Sequence, residues 1–139
     1  MQKAILALWC VFVAAHAHAA PIDSGSTTGW TDDTVTQSLA EEFAKCSVFN
    51  SIAAGCAKKG TREQREKVAA QREDVAKRFY RGGMMLSGQE FTQKQVQFHE
   101  TSMRRSAGSE CAGFPKLEQQ YQTRCDTAFK RLPRKLQQP

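Results

Sequence analysis

Apolar side chains recur along much of this chain in steps of three and four, the spacing that holds them on one face of a helix. The pattern is clearest from Val35 to Ala57, where Val35, Leu39, Phe43, Cys46, Phe49, Ala53 and Cys56 form a single stripe. Two cysteines lie on that stripe, so the buried face is also where the fold is expected to be stapled. Asp32, Asp33 or Thr34 can cap this helix, and the two carboxylates suit the positive end of its dipole. The periodicity ends in CAKKG (56–60), which puts two lysines at the negative end.

Thr61 then opens a second helix, with Gln64 three residues on in the arrangement of a capping box. Residues 62–81 are rich in helix formers but poor in apolar positions: Val68, Val75, Ala76, Phe79 and Tyr80. Most of this helix is expected to be solvated, with Glu63–Lys67 and Glu73–Lys77 spaced for ion pairs along it. Gly82-Gly83 reads as its break, followed by a loop or hinge carrying Met84, Met85 and Leu86 before Ser87-Gly88. A third helix is expected from Gln89 to about Ala107. Phe91, Gln95, Phe98 and Ser102 mark one face, with Val96 and Met103 beside it, and its amphipathicity is the poorest of the set.

Residues 106–114 form a turn around Cys111, and Pro115 is placed to start the last helix. There Leu117, Tyr121, Cys125, Ala128 and Leu132 give a clean stripe with Phe129 alongside, and Pro133 ends it. No strand-like alternation is sustained. The class is all-α, a small up-down bundle of about four helices over 34–132, with 133–139 as a short basic tail.

The first nineteen residues do not belong to that bundle. Lys3 precedes the apolar run Ala4 to Ala15, and Ala17-His18-Ala19 has the small-x-small pattern of a cleavage site, so 1–19 is expected to be a signal peptide. The run is shorter than the roughly 20 residues a membrane-spanning helix needs, and no other long apolar run follows. Trp9 before Cys10 is not the small residue that a lipobox requires. Residues 20–33 read as a polar, flexible arm with one anomaly, the indole of Trp30. An exported chain, periplasmic or extracellular, is the expectation.

Export gives the cysteines their meaning. Removal of Cys10 with the leader leaves Cys46, Cys56, Cys111 and Cys125, an even number that reads as two disulfides in an oxidising compartment. Cys46 and Cys56 lie on one helix about 15 Å apart, whereas a disulfide needs Cα atoms within about 7 Å. Each must therefore pair with a C-terminal cysteine. Antiparallel terminal helices give Cys46–Cys125 and Cys56–Cys111, and parallel ones swap the partners. Up-down closure favours the antiparallel pairing.

The formal charge is +6, and loss of Lys3 with the leader lowers it to +5. From Pro21 to Lys45 five acids face one base, while from Lys58 to Arg81 nine bases face four acids. Such a dipolar surface can meet anionic material. Specific nucleic-acid recognition is not expected, because the bases alternate with carboxylates and few aromatics are interleaved for stacking.

Catalysis finds little support. Beyond the leader His99 is the only histidine, the cysteines are taken up by disulfides, and no nucleophile elbow, phosphate loop or dinucleotide fingerprint occurs. Glu41-Glu42 and Glu73-Asp74 are sequence neighbours in charged helices, not a poised acid and base. No catalytic residue, metal ligand or cofactor site is assigned; haem would need Met84 or Met85 opposite His99, since His99 and Met103 share one helix, and a lone histidine in a polar helix is ordinarily a surface or half-buried residue.

The expected function is protein–protein binding in the cell envelope, as an inhibitor, immunity-type or accessory protein. Trp30, Met84, Met85, Leu86, Arg78 and Arg81 are the candidate contact residues. The competing expectation is association with anionic envelope material, lipid head groups or cell-wall polymer, through Arg62, Arg65, Lys77, Arg78, Arg81 and the basic tail.

Overall fold

The computed structural model describes residues 30–138, with side chains from Asp33 onward. The leader 1–19, the first part of the arm and the Trp30 side chain lie outside the described residues. Among the described residues there are four helices and no strand: α1 (Trp30–Gly55), α2 (Arg62–Ala107), α3 (Phe114–Phe129) and the short α4 (Arg134–Gln137). The all-α class expected from the pattern is therefore found. α1 begins five residues before the predicted stripe, so Asp32, Asp33 and Thr34 sit in its first turns and not before it.

α2 is two helices in one, because Gly88 alone leaves helical geometry, at φ 79° and ψ 168°. That region is essentially restricted to glycine, since a Cβ there collides with the backbone. The chain reverses at this residue, giving a first arm (62–87) and a second arm (89–107). The first arm runs antiparallel to α1: Arg72 bonds Asn50, Ser47 Oγ donates to the Ala76 carbonyl, and Gly83 lies against Ala40. The second arm runs parallel to α1, with Thr92 beside Gly83 near Ala40, His99 beside Glu41, and Arg104 near Ile52. α3 runs antiparallel again, since Arg124 binds Glu42 and Tyr121 stacks on Phe49. Counting the two arms separately, the order is up-down-up-down.

The predicted break at Gly82-Gly83 is not there; helix continues through both glycines to residue 87. They are buried contact points, not turn residues. A Cβ on Gly82 would stand 2.5 Å from Leu132 Cδ2 and 3.0 Å from Phe43 Cδ2, and one on Gly83 2.9 Å from Thr92 Cγ2. Hydrogen in place of a side chain lets the first arm approach α1, the second arm and the C-terminal segment together.

α1 is the hub of the core. Its predicted stripe is largely buried from Leu39 on, although Val35 is 60% exposed. Ala40, Ala44, Val48, Ile52 and Ala54 on its other sides are buried too, so from Phe43 to Ala54 only Lys45 and Ser51 escape burial. Small residues there let neighbours close in from several directions. Phe43, Phe79 and Phe129 follow one another at 5.7 and 5.9 Å between ring centres, and Phe49 lies between Phe114 and Tyr121 at 6.0 Å from each.

Two disulfides tie α1 to the C-terminal part, Cys46–Cys125 and Cys56–Cys111, with Cα separations of 5.4 and 5.6 Å. That is the pairing antiparallel terminal helices require. The second arm differs from expectation. Its buried positions are Thr92, His99, Met103 and Ala107, while Phe98 is 72% exposed. The 91/95/98/102 face is thus displaced by about one position: two polar residues occupy the true inner stripe and hide it from a hydrophobicity pattern. The tail is also partly built. Leu136 of α4 packs against the core, and Gln137 Nε2 donates to the carbonyls of Lys130 and Leu132.

Candidate functional site

The arms of α2 converge at Gly88 and spread apart from it, leaving an open cleft of about 450 Å³ between them with α1 as its floor. The floor is Ser47, Val48, Ser51 and Ile52. The first arm supplies Glu73, Ala76, Lys77, Tyr80, Arg81 and Met84; the second supplies Val96, Glu100 and Arg104. On each helix these residues recur every fourth position, so the walls are ridges running along the cleft.

The polar groups in this lining fall into two kinds. Ser47 Oγ is satisfied by the Ala76 carbonyl at 2.9 Å, and Arg104 Nε is held by Glu100 at 2.7 Å. Among the described residues Lys77 and Arg81, one turn apart on the first arm, make no ion pair, and neither does Glu73. The Glu73–Lys77 and Glu63–Lys67 pairs expected from spacing do not form; Arg62–Glu66 and Arg78–Asp74 form instead, at 2.8 and 2.6 Å. The cleft therefore combines a mixed floor, Val48 and Ile52 between two serines, with two cations on its rim that lie outside the ion pairs of the described residues.

The contact residues chosen from sequence do not gather in one place. Met84 and Arg81 line the cleft. Met85 is half-exposed and absent from the cleft lining, and Leu86 packs against the core. Arg78 is committed to the chain itself: it binds Asp74 and donates to the backbone carbonyls of Leu136 and Gln138, holding α4 against the first arm. Trp30 is the first residue of α1, and its side chain lies outside the described residues. Sequence reasoning missed Val48, Ile52, Glu100 and Arg104. Val48 and Ile52 are four residues apart on the α1 face opposite the chosen stripe, a second apolar face that was the available signal.

One further polar cluster sits beside the second arm. His99 is buried, its Nε2 has no hydrogen-bond partner among the described residues, and it stands 3.6 Å from Glu41 Oε1. Burial depresses its pKa below 6.5, with the Lys45 charge acting in the same direction and Glu41 opposing. Glu41 in turn accepts a hydrogen bond from Lys45 at 2.7 Å, the main cause of its pKa lying below 4.5. Among the described residues no group of three His, Cys, Asp or Glu side chains is placed to hold a metal ion.

The fold and cleft define a class: a small all-α bundle with one disulfide joining its first and last long helices and a second joining the turns that follow the one and precede the other, suited to a non-reducing compartment. Among the described residues no helix is long and apolar enough to cross a membrane. No protein-family model, curated protein or solved structure matches the chain.

Proposed function

We propose that this chain is an exported binding protein, not an enzyme, and that it acts on another protein of the envelope in the manner of an inhibitor, immunity-type or accessory protein. The observation that carries this reading is the cleft between the α2 arms, with Val48 and Ile52 in its floor and, at its edge, Lys77 and Arg81, which join no ion pair among the described residues. Exposed charge outside an ion pair, beside apolar surface, is what a partner can complement with both specificity and area. The disulfides favour such a role, because a scaffold ordered before binding has less conformational entropy to lose.

Association with anionic envelope material is weaker on geometric grounds. Of the bases that reading relies on, Arg62 is paired with Glu66 and Arg78 with Asp74 and the C-terminal backbone, so the basic surface is interrupted. The test is capture from envelope and secreted fractions on the oxidised protein, washed with rising salt. One stoichiometric protein retained at high salt supports the partner role. Lipid, polymer or mixed acidic proteins, all lost as salt rises, would transfer the reading to charge-driven association.

A further inference from the structure

We propose that the cleft receives an amphipathic α-helix of the partner that carries two acidic residues one turn apart along one edge. This rests on the partner-binding reading above and adds to it the chemistry of the occupant.

Shape argues for a helix. The first-arm wall from Glu73 to Met84 extends about 16 Å at 1.5 Å per residue, or three helical turns. The floor and both walls present ridges with a four-residue repeat, the relief into which the ridges of another helix interdigitate. Ser47, Ser51 and Ala76 are small, which lets an incoming backbone come close. The cleft is partly open to solvent, not enclosed. An acyl chain laid there would keep one side in water, whereas an amphipathic helix turns its polar side outward and buries only its apolar stripe.

Charge sets the polarity of the edge. Arg104 is already neutralised by Glu100, so the opposite wall asks for little. Lys77 and Arg81 join no ion pair among the described residues and are four residues apart, matching carboxylates at i and i+4 on a helix lying alongside. Glu73, a turn further from the kink, adds a demand for one base beyond those acids. The occupant is thus specified as apolar at i, i+3, i+4 and i+7, acidic at two edge positions, and basic at one end of that edge.

The experiment is selection of a displayed library of three-to-five-turn helices, with a fixed apolar stripe and randomised edges, on the oxidised protein and on its Lys77→Glu/Arg81→Glu variant. Both substituted side chains are at the rim, so the variant should keep the wild-type helical signal. The wild type is expected to enrich Asp or Glu at paired i, i+4 edge positions, and the variant to enrich Lys or Arg there instead. Amide shifts caused by the best peptide should fall within 47–52, 73–84 and 96–104. An edge preference that does not invert in the variant, or shifts on another face, overturns the inference. So do shifts of the cleft amides by dodecanoate when no helix is enriched, which would make the site one for single-chain amphiphiles. Failure here is separable from failure of the partner reading. A protein captured from the envelope with equal retention by wild type and variant leaves a partner but removes the cleft as its seat.

Discussion

Gly83 and Thr92 touch across the reversal in α2: a Cβ on the glycine would stand 2.9 Å from Thr92 Cγ2 and 3.2 Å from its Oγ1. Thr92 is fully buried and donates its hydroxyl to the Gly88 carbonyl at 2.8 Å, so it has no room to withdraw. Gly83→Ala should therefore destabilise the protein by about 1–3 kcal/mol through overpacking. Thr92→Ser removes the obstructing methyl while keeping the hydroxyl, and the double variant should recover part of that loss. Urea unfolding of the four proteins in a double-mutant cycle measures the coupling. Additive losses would mean that the two positions do not meet.

Gly88 presents the opposite case. Nothing lies within 4 Å of its Cβ position, yet its backbone occupies a region closed to other residues. Gly88→Ala should cost about 1–3 kcal/mol through backbone strain alone. Because the arms diverge from this point, the same variant should also shift amide resonances along both walls of the cleft. A spectrum changed only at the immediate neighbours would show that the reversal does not set the cleft.

These glycines show where the sequence was legible and where it was not. Gly82, Gly83 and Gly88 lie within seven residues, and local chemistry alone makes the pair the stronger break. Tertiary contact reverses that order, since the pair is needed for close packing against Phe43, Leu132 and Thr92, none of them nearby in sequence except Thr92. The stripes of α1 and α3 were legible because their inward residues are apolar. The inner face of the second arm was not, because Thr92 and His99 occupy it and Phe98 points outward. The cleft is half-legible: the sequence points to Arg81 and Met84, but Arg78 beside them is spent on the C-terminal backbone, which only the folded chain brings near.

The two disulfides should differ in reactivity. Cys46 and Cys125 are 0% and 2% exposed, whereas Cys56 and Cys111 are half-buried at the turn near Lys58 and Lys59. Access governs thiol exchange, so limiting reductant should open Cys56–Cys111 first. Alkylation and peptide mapping at increasing reductant would show the order. Replacing both Cys46 and Cys125 by serine should cost about 2–5 kcal/mol, read as a lowered urea midpoint. Simultaneous loss of both bonds under mild reductant would contradict the difference in access.

Arg72 joins three helices. Its guanidinium donates to Asn50 Oδ1 at 3.0 Å and Gln122 Oε1 at 2.9 Å, and lies 5.9 Å from the centre of the Phe49 ring. Asn50 is 2% exposed, and its amide nitrogen is already used on the Cys46 carbonyl. Arg72→Ala should therefore strand a buried acceptor and cost about 1–3 kcal/mol. Arg72→Met, which keeps the contact with Phe49 but not the hydrogen bonds, separates the two contributions by urea unfolding. Equal stability of Met and wild type would assign the role to packing.

The His99–Glu41 pair sets the direction of the acid response. The folded pKa of His99 lies below 6.5, so the fold prefers the neutral ring and the unfolded chain takes up a proton first as pH falls. The stability this contributes is fully present above pH 6.5 and is lost as pH drops toward the folded value. Glu41 acts lower down: its folded pKa lies below 4.5, so its contribution is present above that pH and is lost as pH falls through the folded pKa. Urea midpoints measured from pH 7.5 through 6.0 and 5.0 to below 4.5 should fall for the wild type once the pH is under 6.5, and again under 4.5. His99→Gln, which cannot take up that proton, should flatten the decline between pH 7.5 and 5.0 while keeping the loss below pH 4.5. Glu41→Gln should lessen the lower loss. A His99→Gln protein with the wild-type slope between pH 7.5 and 5.0 would show that the buried imidazole does not govern the upper limb.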